Sequence, residues 1–318
     1  MGSDDKNSPY SIFGIVNSTV SICSSQLEIQ DLSQTKSVSV VNVDTSSVVN
    51  ITTSNLHAIS KNSFPYGIYS LGKLNIESSL IDANSNHTAN ADGTDYATTS
   101  RGIYSENDLS IINSSVYGTH SGITLKGGNT YIDGGDYYGY SHGGVYASKG
   151  ITKIYNANLY DVPLNEGYVD DGVAGTNHAG LYIGNGENIS VFVDNCNIIG
   201  EIQPIVVRNS SLENNNHLYI SNSKTNLDCL EKYTPIIGNY GELSNIVAGI
   251  YGGGIRNYKT TNTIHFGENC GVADIKNMND IQNDAYLNYL PIRPNYLRIE
   301  SKTKTMNDYS FEVTNEKY

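Results

Sequence analysis

The side chains best suited to chemistry fall in three stretches. Residues 161–177 carry Glu166, Tyr168 and the adjacent pair Asp170 and Asp171, with His178 just beyond. Residues 84–100 carry Asp95 and Tyr96. Between them runs Asp133-Gly-Gly-Asp136-Tyr137-Tyr138-Gly-Tyr140. Carboxylates bind sugar hydroxyls or a hard cation such as Ca²⁺. A pair of them is what glycoside hydrolysis needs, one as acid and one as base or nucleophile. Tyr offers a flat ring to a sugar, and with no Trp among 318 residues the 25 tyrosines must do any such stacking. Asp170, Asp171 and His178 are therefore the catalytic candidates, and Asp170 and Asp171 the candidate Ca²⁺ ligands; Ca²⁺ is the one cofactor in view. The remaining Asp, Glu and Tyr side chains named above are read as ligand-binding. The plainer reading of Tyr is as the favoured strand residue of this chain.

Three histidines, His120, His142 and His178, each stand two residues before a glycine of a recurring phrase. Imidazoles aligned on adjacent repeats form either a metal or acid/base row, or a polar ladder at a turn. The ladder is preferred, because the next positions in the row are not His.

The net charge of −13 and pI near 4.8 argue against nucleic acid as a partner, since phosphate binding needs clustered Lys and Arg. Cys23, Cys196, Cys229 and Cys270 show no zinc-type spacing. Cys23 and Cys196 lie in strand-like stretches and read as small buried side chains. No apolar run approaches the ~20 residues of a membrane helix. Residues 1–10 read as a leader segment in front of the native sequence, with no export signal visible.

Candidate residues need elements to position them, and here these are repeats. Gly67-Ile68-Tyr69-Ser70 returns as Gly102-Ile103-Tyr104-Ser105, and more loosely at Gly122, Gly144, Gly180 and Gly249. Seven or eight residues after most of these glycines comes an apolar-x-apolar phrase: Leu74-Asn75-Ile76, Leu109-Ser110-Ile111, Thr130-Tyr131-Ile132, Thr152-Lys153-Ile154. A third apolar position follows at Leu80, Val116, Tyr137, Leu159 and Ile198. Ile111 to Ile132 is 21 residues and Ile132 to Ile154 is 22. Three very short strands per unit cannot bury an apolar face alone, but stacked units can. The expected fold is all-β: a right-handed parallel β-helix with ~21–22 residues per coil over residues 11–270, followed by a cap or extension over 271–318. Asn113, Gly134, Asn156 and Asn195 each lie two residues after the second-phrase aliphatic. They mark a corner of positive φ, and the asparagines (Asn113, Asn156, Asn195) are expected to form a ladder. Gly67 to Gly102 is 35 residues and Gly144 to Gly180 is 36, so residues 84–100 and 161–177 are insertions at one corner, where function is to be sought.

The coil phrase resembles the coils of right-handed β-helix proteins of pectate-lyase-like architecture. More narrowly, it resembles clostridial calcium-associated polysaccharide-binding β-helices, over residues 60–200. That resemblance implies a polysaccharide partner and acidic Ca²⁺ ligands, although no Asp here matches a ligand motif of those proteins. Asp170-Asp171 with His178 is similar in part to the Asp-Asp and Gly-His-Gly motifs of polygalacturonases. The accompanying Asn-Thr-Asp and Arg-x-Lys signatures are missing, and the pair lies eight residues from the His rather than on another coil. A lyase needs a base for the proton α to a uronate carboxyl; Arg101 and Arg208 are available. The expectation is a secreted or cell-surface carbohydrate-binding β-helix of a bacterium or phage, non-catalytic. The alternatives are a pectin- or uronate-type lyase or hydrolase, and a structural β-helix of a phage tail or cell surface, homo-oligomeric if fibre-like.

Overall fold

The computed structural model describes residues 9–31, 37–60, 64–85, 100–139, 142–161, 179–184, 186, 188–200, 203–207, 216–225, 255–257, 263–266, 297–299 and 310–313. Every regular element among them is a β-strand, and among the described residues no helix is long and apolar enough to cross a membrane.

The apolar-x-apolar phrases dictate the architecture. Alternate residues of a strand point to opposite faces, so Leu109 and Ile111 point one way and Ser110 the other. Each such strand pairs in parallel with its equivalent one coil later. Leu74, Leu109, Thr130, Thr152, Val191 and Leu218 fall in one column, and Ile76, Ile111, Ile132, Ile154, Val193 and Ile220 in the next. Both columns are buried. Two further columns on each of the other sides complete a triangular coil, giving three parallel sheets of ten, ten and eight strands. The protein is a right-handed parallel β-helix, the hand that parallel crossovers take. One continuous apolar core runs from Ile15 to Ile220.

The repeated glycine has a steric cause. A Cβ on Gly102 would collide with Val116 Cγ1 and lie 2.7 Å from both Gly122 O and Tyr117 O. This is where the third-sheet strand of one coil closes on its own first-sheet strand. The corner between the second and third sheets is equally regular. Ser24, Thr53, Ser78, Asn113, Gly134, Asn156, Asn195 and Asn222 hold φ between 45° and 73°, one per coil.

Three details depart from the sequence reading. The 21–22-residue unit belongs to only two coils; by the same column the neighbouring spacings are 25 residues (Ile51 to Ile76), 35 (Ile76 to Ile111) and 39 (Ile154 to Val193). Ile81, not Leu80, faces the core: Val116 pairs with Ile81, which is fully buried, while Leu80 is 38% exposed. The inward residue of the third sheet stands five positions after the second-phrase aliphatic in each described coil, so choosing Leu80 slipped one residue and crossed the sheet. Cys23 is exposed at the outer face of its strand, whereas Cys196 is buried as expected.

Both expected insertions join a third-sheet strand to the next first-sheet strand: Leu80–Ser85 to Arg101–Ser105, and Asn158–Asp161 to Ala179–Ile183. Residues 226–254, between strands Lys224–Thr225 and Ile255–Asn257, lie outside the described residues. Within 271–318, strands Leu297–Ile299 and Ser310–Val313 add to the first and second sheets.

Candidate functional site

The outer face of the first sheet gathers side chains that no local stretch of sequence places together. Tyr66, Arg101 and Ser121 occupy one outward column, and Tyr69, Tyr104, Thr124, Tyr146 and Tyr182 the next. The second of these columns is the Tyr of the Gly-aliphatic-Tyr phrase. Its outward placement follows from strand alternation once the aliphatic just before it is set in the core.

Tyr69 and Tyr104 stack with ring centroids 4.9 Å apart, and Tyr66 meets them edge-on at 5.3 Å and 6.1 Å. The Arg101 guanidinium lies 5.9 Å from the Tyr66 ring centroid, and its Nη1 donates to Tyr66 Oη at 3.5 Å. Tyr104 Oη donates to Glu106 Oε1 at 2.6 Å; burial first, then this carboxylate, pushes the phenol well above its usual range. Lys126 Nζ sits 4.8 Å over the Tyr146 ring. Burial, reinforced by the charge of Arg101, lowers the Lys126 pKa, while Glu106 acts the other way.

His120 and His142 stack at 4.2 Å. His120 Nδ1 lies 3.3 Å from Ser121 Oγ, which in turn lies 2.5 Å from Thr124 Oγ1. Burial holds His120 well below its ordinary pKa, and His142, Arg101 and Lys126 push the same way. The imidazole is therefore neutral at pH 7. Two of the three histidines of the expected row are thus adjacent rungs; His178 lies outside the described residues. Deeper along the same face, Tyr146 and Tyr182 are buried with Ala179 and Val206 in a small apolar cluster of their own, so the accessible rings are Tyr66, Tyr69 and Tyr104.

The residues singled out from sequence fall elsewhere. Asp95, Tyr96, Tyr140, Glu166, Tyr168, Asp170 and Asp171 lie outside the described residues. Asp133 and Asp136 flank the second-to-third corner, and each is engaged by an asparagine. Asn156 Nδ2 donates to Asp133 Oδ1 at 2.7 Å and Asn158 Nδ2 to Asp136 Oδ1 at 2.8 Å; Tyr131 Oη also donates to Asp133 Oδ2 at 3.1 Å. Tyr137 is a correction. It pairs with Val116 and Leu159 in the inward column, is fully buried, and donates from its hydroxyl to Gly134 O at 2.9 Å, so no ligand outside the coil meets its ring. Tyr138 points outward, but its two faces lie against Tyr117 and Tyr160, each at 4.5 Å. A ring stacked on both sides has only an edge left for a sugar.

The asparagine ladder is real but shorter than expected. Asn195 Nδ2 donates to Asn156 Oδ1 at 2.8 Å, and Asn156 continues to Asp133. Asn113 stands outside this chain of bonds, because the intervening corner residue, Gly134, has no side chain to relay it. A second ladder went unnoticed in the sequence. One residue past the corner, Ser54, Ser79 and Ser114 each accept from the backbone N–H of the coil before, at 3.1 Å. Cys196 fills this position later in the chain, and its thiol is pushed up to about 12 by burial above all.

Among the described residues no group of three or more His, Cys, Asp or Glu side chains is arranged to hold a metal ion. The chain matches no family model, no curated protein and no solved structure. Fold and site together define a parallel β-helix with an aromatic, nitrogen-rich patch on its first sheet.

Proposed function

We propose that this protein is a glycan-binding β-helix, acting in secreted form or on a bacterial or phage surface, that holds an acidic sugar chain without cutting it. The observation that carries this reading is the outer face of the first sheet, where Arg101, Lys126, His120 and His142 gather beside Tyr66, Tyr69 and Tyr104 in a chain of net charge −13. Tyr rings supply apolar contact for a pyranose face. Arg101 and Lys126 supply charge-assisted donors for a carboxylate or sulfate. The likeness of the coil phrase to polysaccharide-binding β-helices supports the same class of ligand. So does the corner from which residues 84–100 and 161–177 leave, which borders this face. Asp133 and Asp136 are each held by an asparagine, which favours binding over hydrolysis.

Titration calorimetry with acidic and neutral oligosaccharides tests the proposal. Oligogalacturonate is expected to bind and its neutral counterpart to bind at least tenfold more weakly, with Arg101→Ala and Lys126→Ala each costing about 1.5–3 kcal/mol for a lost charged hydrogen bond. Equal affinity for neutral and acidic chains would remove the role given to the cations. Release of reducing ends or unsaturated uronates during the titration would replace binding by catalysis. Ca²⁺ chelation, or Asp170→Ala with Asp171→Ala, is expected to weaken binding where the inserted loop contributes a cation site; unchanged affinity discards that part.

A further inference from the structure

The outer face of the second sheet carries a column of rings in its later coils. Lys153, Phe192, Tyr219 and His265 follow one another there, one per coil. Phe192 and Tyr219 stack at 4.4 Å and 4°, and Tyr219 and His265 at 4.0 Å and 9°. Lys153 Nζ lies 5.9 Å from the Phe192 ring centroid, at the far end of the column from His265. His217 stands beside this column. It pairs with Thr263 while Tyr219 pairs with His265, so the two histidines are diagonal neighbours on strands His217–Ser221 and Thr263–Phe266. They are 48 residues apart along the chain.

His217 Nδ1 and His265 Nε2 are 3.1 Å apart. The ring centroids are 5.4 Å apart and the planes 25° from parallel, so the rings meet edge to edge with these two nitrogens between their centres. His120 and His142 are arranged differently. They lie face to face at 4.2 Å and 9°, and lone pairs in two nearly parallel planes do not converge on one point. Two imidazole nitrogens on a tetrahedral Zn²⁺, each at its usual bond length, stand roughly 3.3 Å apart. The His217–His265 gap falls just short of that edge. The two rings share one N–H···N hydrogen bond; loss of that proton to water and a small tilt turn both lone pairs to a common ion.

We propose that His217 and His265 form a binding site for a divalent d-block ion, Zn²⁺, Ni²⁺ or Cu²⁺, which bridges two successive coils. The donor atoms select this class. Imidazole nitrogen suits these ions, whereas Ca²⁺ and Mg²⁺ take oxygen ligands. The Tyr219 ring, stacked on His265 and backed in turn by Phe192, holds the His265 ring in its plane, so this ligand is oriented before the ion arrives. The net charge of −13 draws cations to the chain. Two protein nitrogens leave the ion further positions for water or another oxygen donor, so the site exchanges its metal rather than closing around it. It lies on a different sheet from the basic patch and does not depend on the glycan-binding reading.

Titration calorimetry of the 318-residue chain with Zn²⁺ and Ni²⁺, after treatment with a chelator, tests this. The wild type is expected to bind either ion saturably, with Ca²⁺ and Mg²⁺ failing to compete. His217→Gln and His265→Gln are each expected to weaken binding at least about tenfold. His57→Gln, which removes an imidazole held 2.8 Å from Asp82, is expected to leave it unchanged. His265 is buried, so a second reading uses the wild type alone. Carbethoxylation of histidines, followed by peptide mass spectrometry, is expected to slow at His217 when Zn²⁺ is added and to proceed unchanged at His57. No binding of Zn²⁺ or Ni²⁺ up to about 1 mM overturns the proposal. So does binding that both His217→Gln and His265→Gln leave intact, displacement by Ca²⁺, or protection of His57 in place of His217.

Discussion

Replacing Tyr138 by Ala separates a structural tyrosine ladder from a sugar platform. The Tyr138 ring is the middle of three on the outer face of the third sheet, with centroids 4.5 Å from Tyr117 at 4° and 4.5 Å from Tyr160 at 12°. Each stacked pair contributes about 0.5–1.5 kcal/mol beyond area burial, so losing both costs about 1–3 kcal/mol. The phenol adds little. Burial first, then Tyr117 and Asp136, pushes it up to about 12, so it stays neutral at working pH. Tyr138→Phe is accordingly expected within about 0.5 kcal/mol of wild type. Urea unfolding followed by circular dichroism measures both variants. A double-mutant cycle with Tyr117→Ala should return a coupling of about 0.5–1.5 kcal/mol. Glycan affinity should not change, because the ladder sits on a different sheet from the basic patch. If Tyr138→Ala unfolds at the wild-type urea concentration while losing glycan binding, the ring is a ligand contact and the ladder argument is wrong.

Gly135→Ala should destabilise by about 2 kcal/mol or more. Gly135 has φ of +95° and a Cβ there would collide with Ser114 O, a backbone atom that cannot swing away; an unchanged urea midpoint would contradict the packing of this corner. His120 gives a pH dependence. Its folded pKa is depressed below the ordinary 6.5 by burial above all, so the unfolded chain takes up the proton first. Stability is therefore full above about pH 6.5 and falls below it, by up to about 1.4 kcal/mol per pH unit for this group; His120→Asn should make that slope shallower, and an equal slope would refute the assignment. Maleimide labelling of the native protein, read by peptide mass spectrometry, should modify exposed Cys23 and spare Cys196, whose buried thiol is pushed up to about 12; equal labelling would mean that the core opens readily there.

The sequence by itself determined what repeats along the chain. The glycine of Gly-aliphatic-Tyr, the pair Leu109 and Ile111, and the corner at Asn113, Gly134, Asn156 and Asn195 all answer to local rules: backbone clearance, strand alternation and left-handed φ. A rule applied once per coil leaves a visible period, and the period yields the solenoid. The tertiary structure decided which copies meet and which way each side chain turns. Tyr137 and Tyr138 are neighbours of one type, yet one is in the core and the other outside, because the five-residue step from Ile132 fixes the parity. The same step places Ile81 inside and Leu80 outside. Tyr66, Arg101, Lys126 and His142 come from four successive coils, so stacking, not spacing along the chain, brings them to one face. The paired carboxylates that drew attention first do not form this patch. Asp133 and Asp136 sit at the corner and accept from asparagines of the next coil, an arrangement that exists only once register is set. The sequence, in short, carries the column in which each residue stands, and folding decides what stands above and below it.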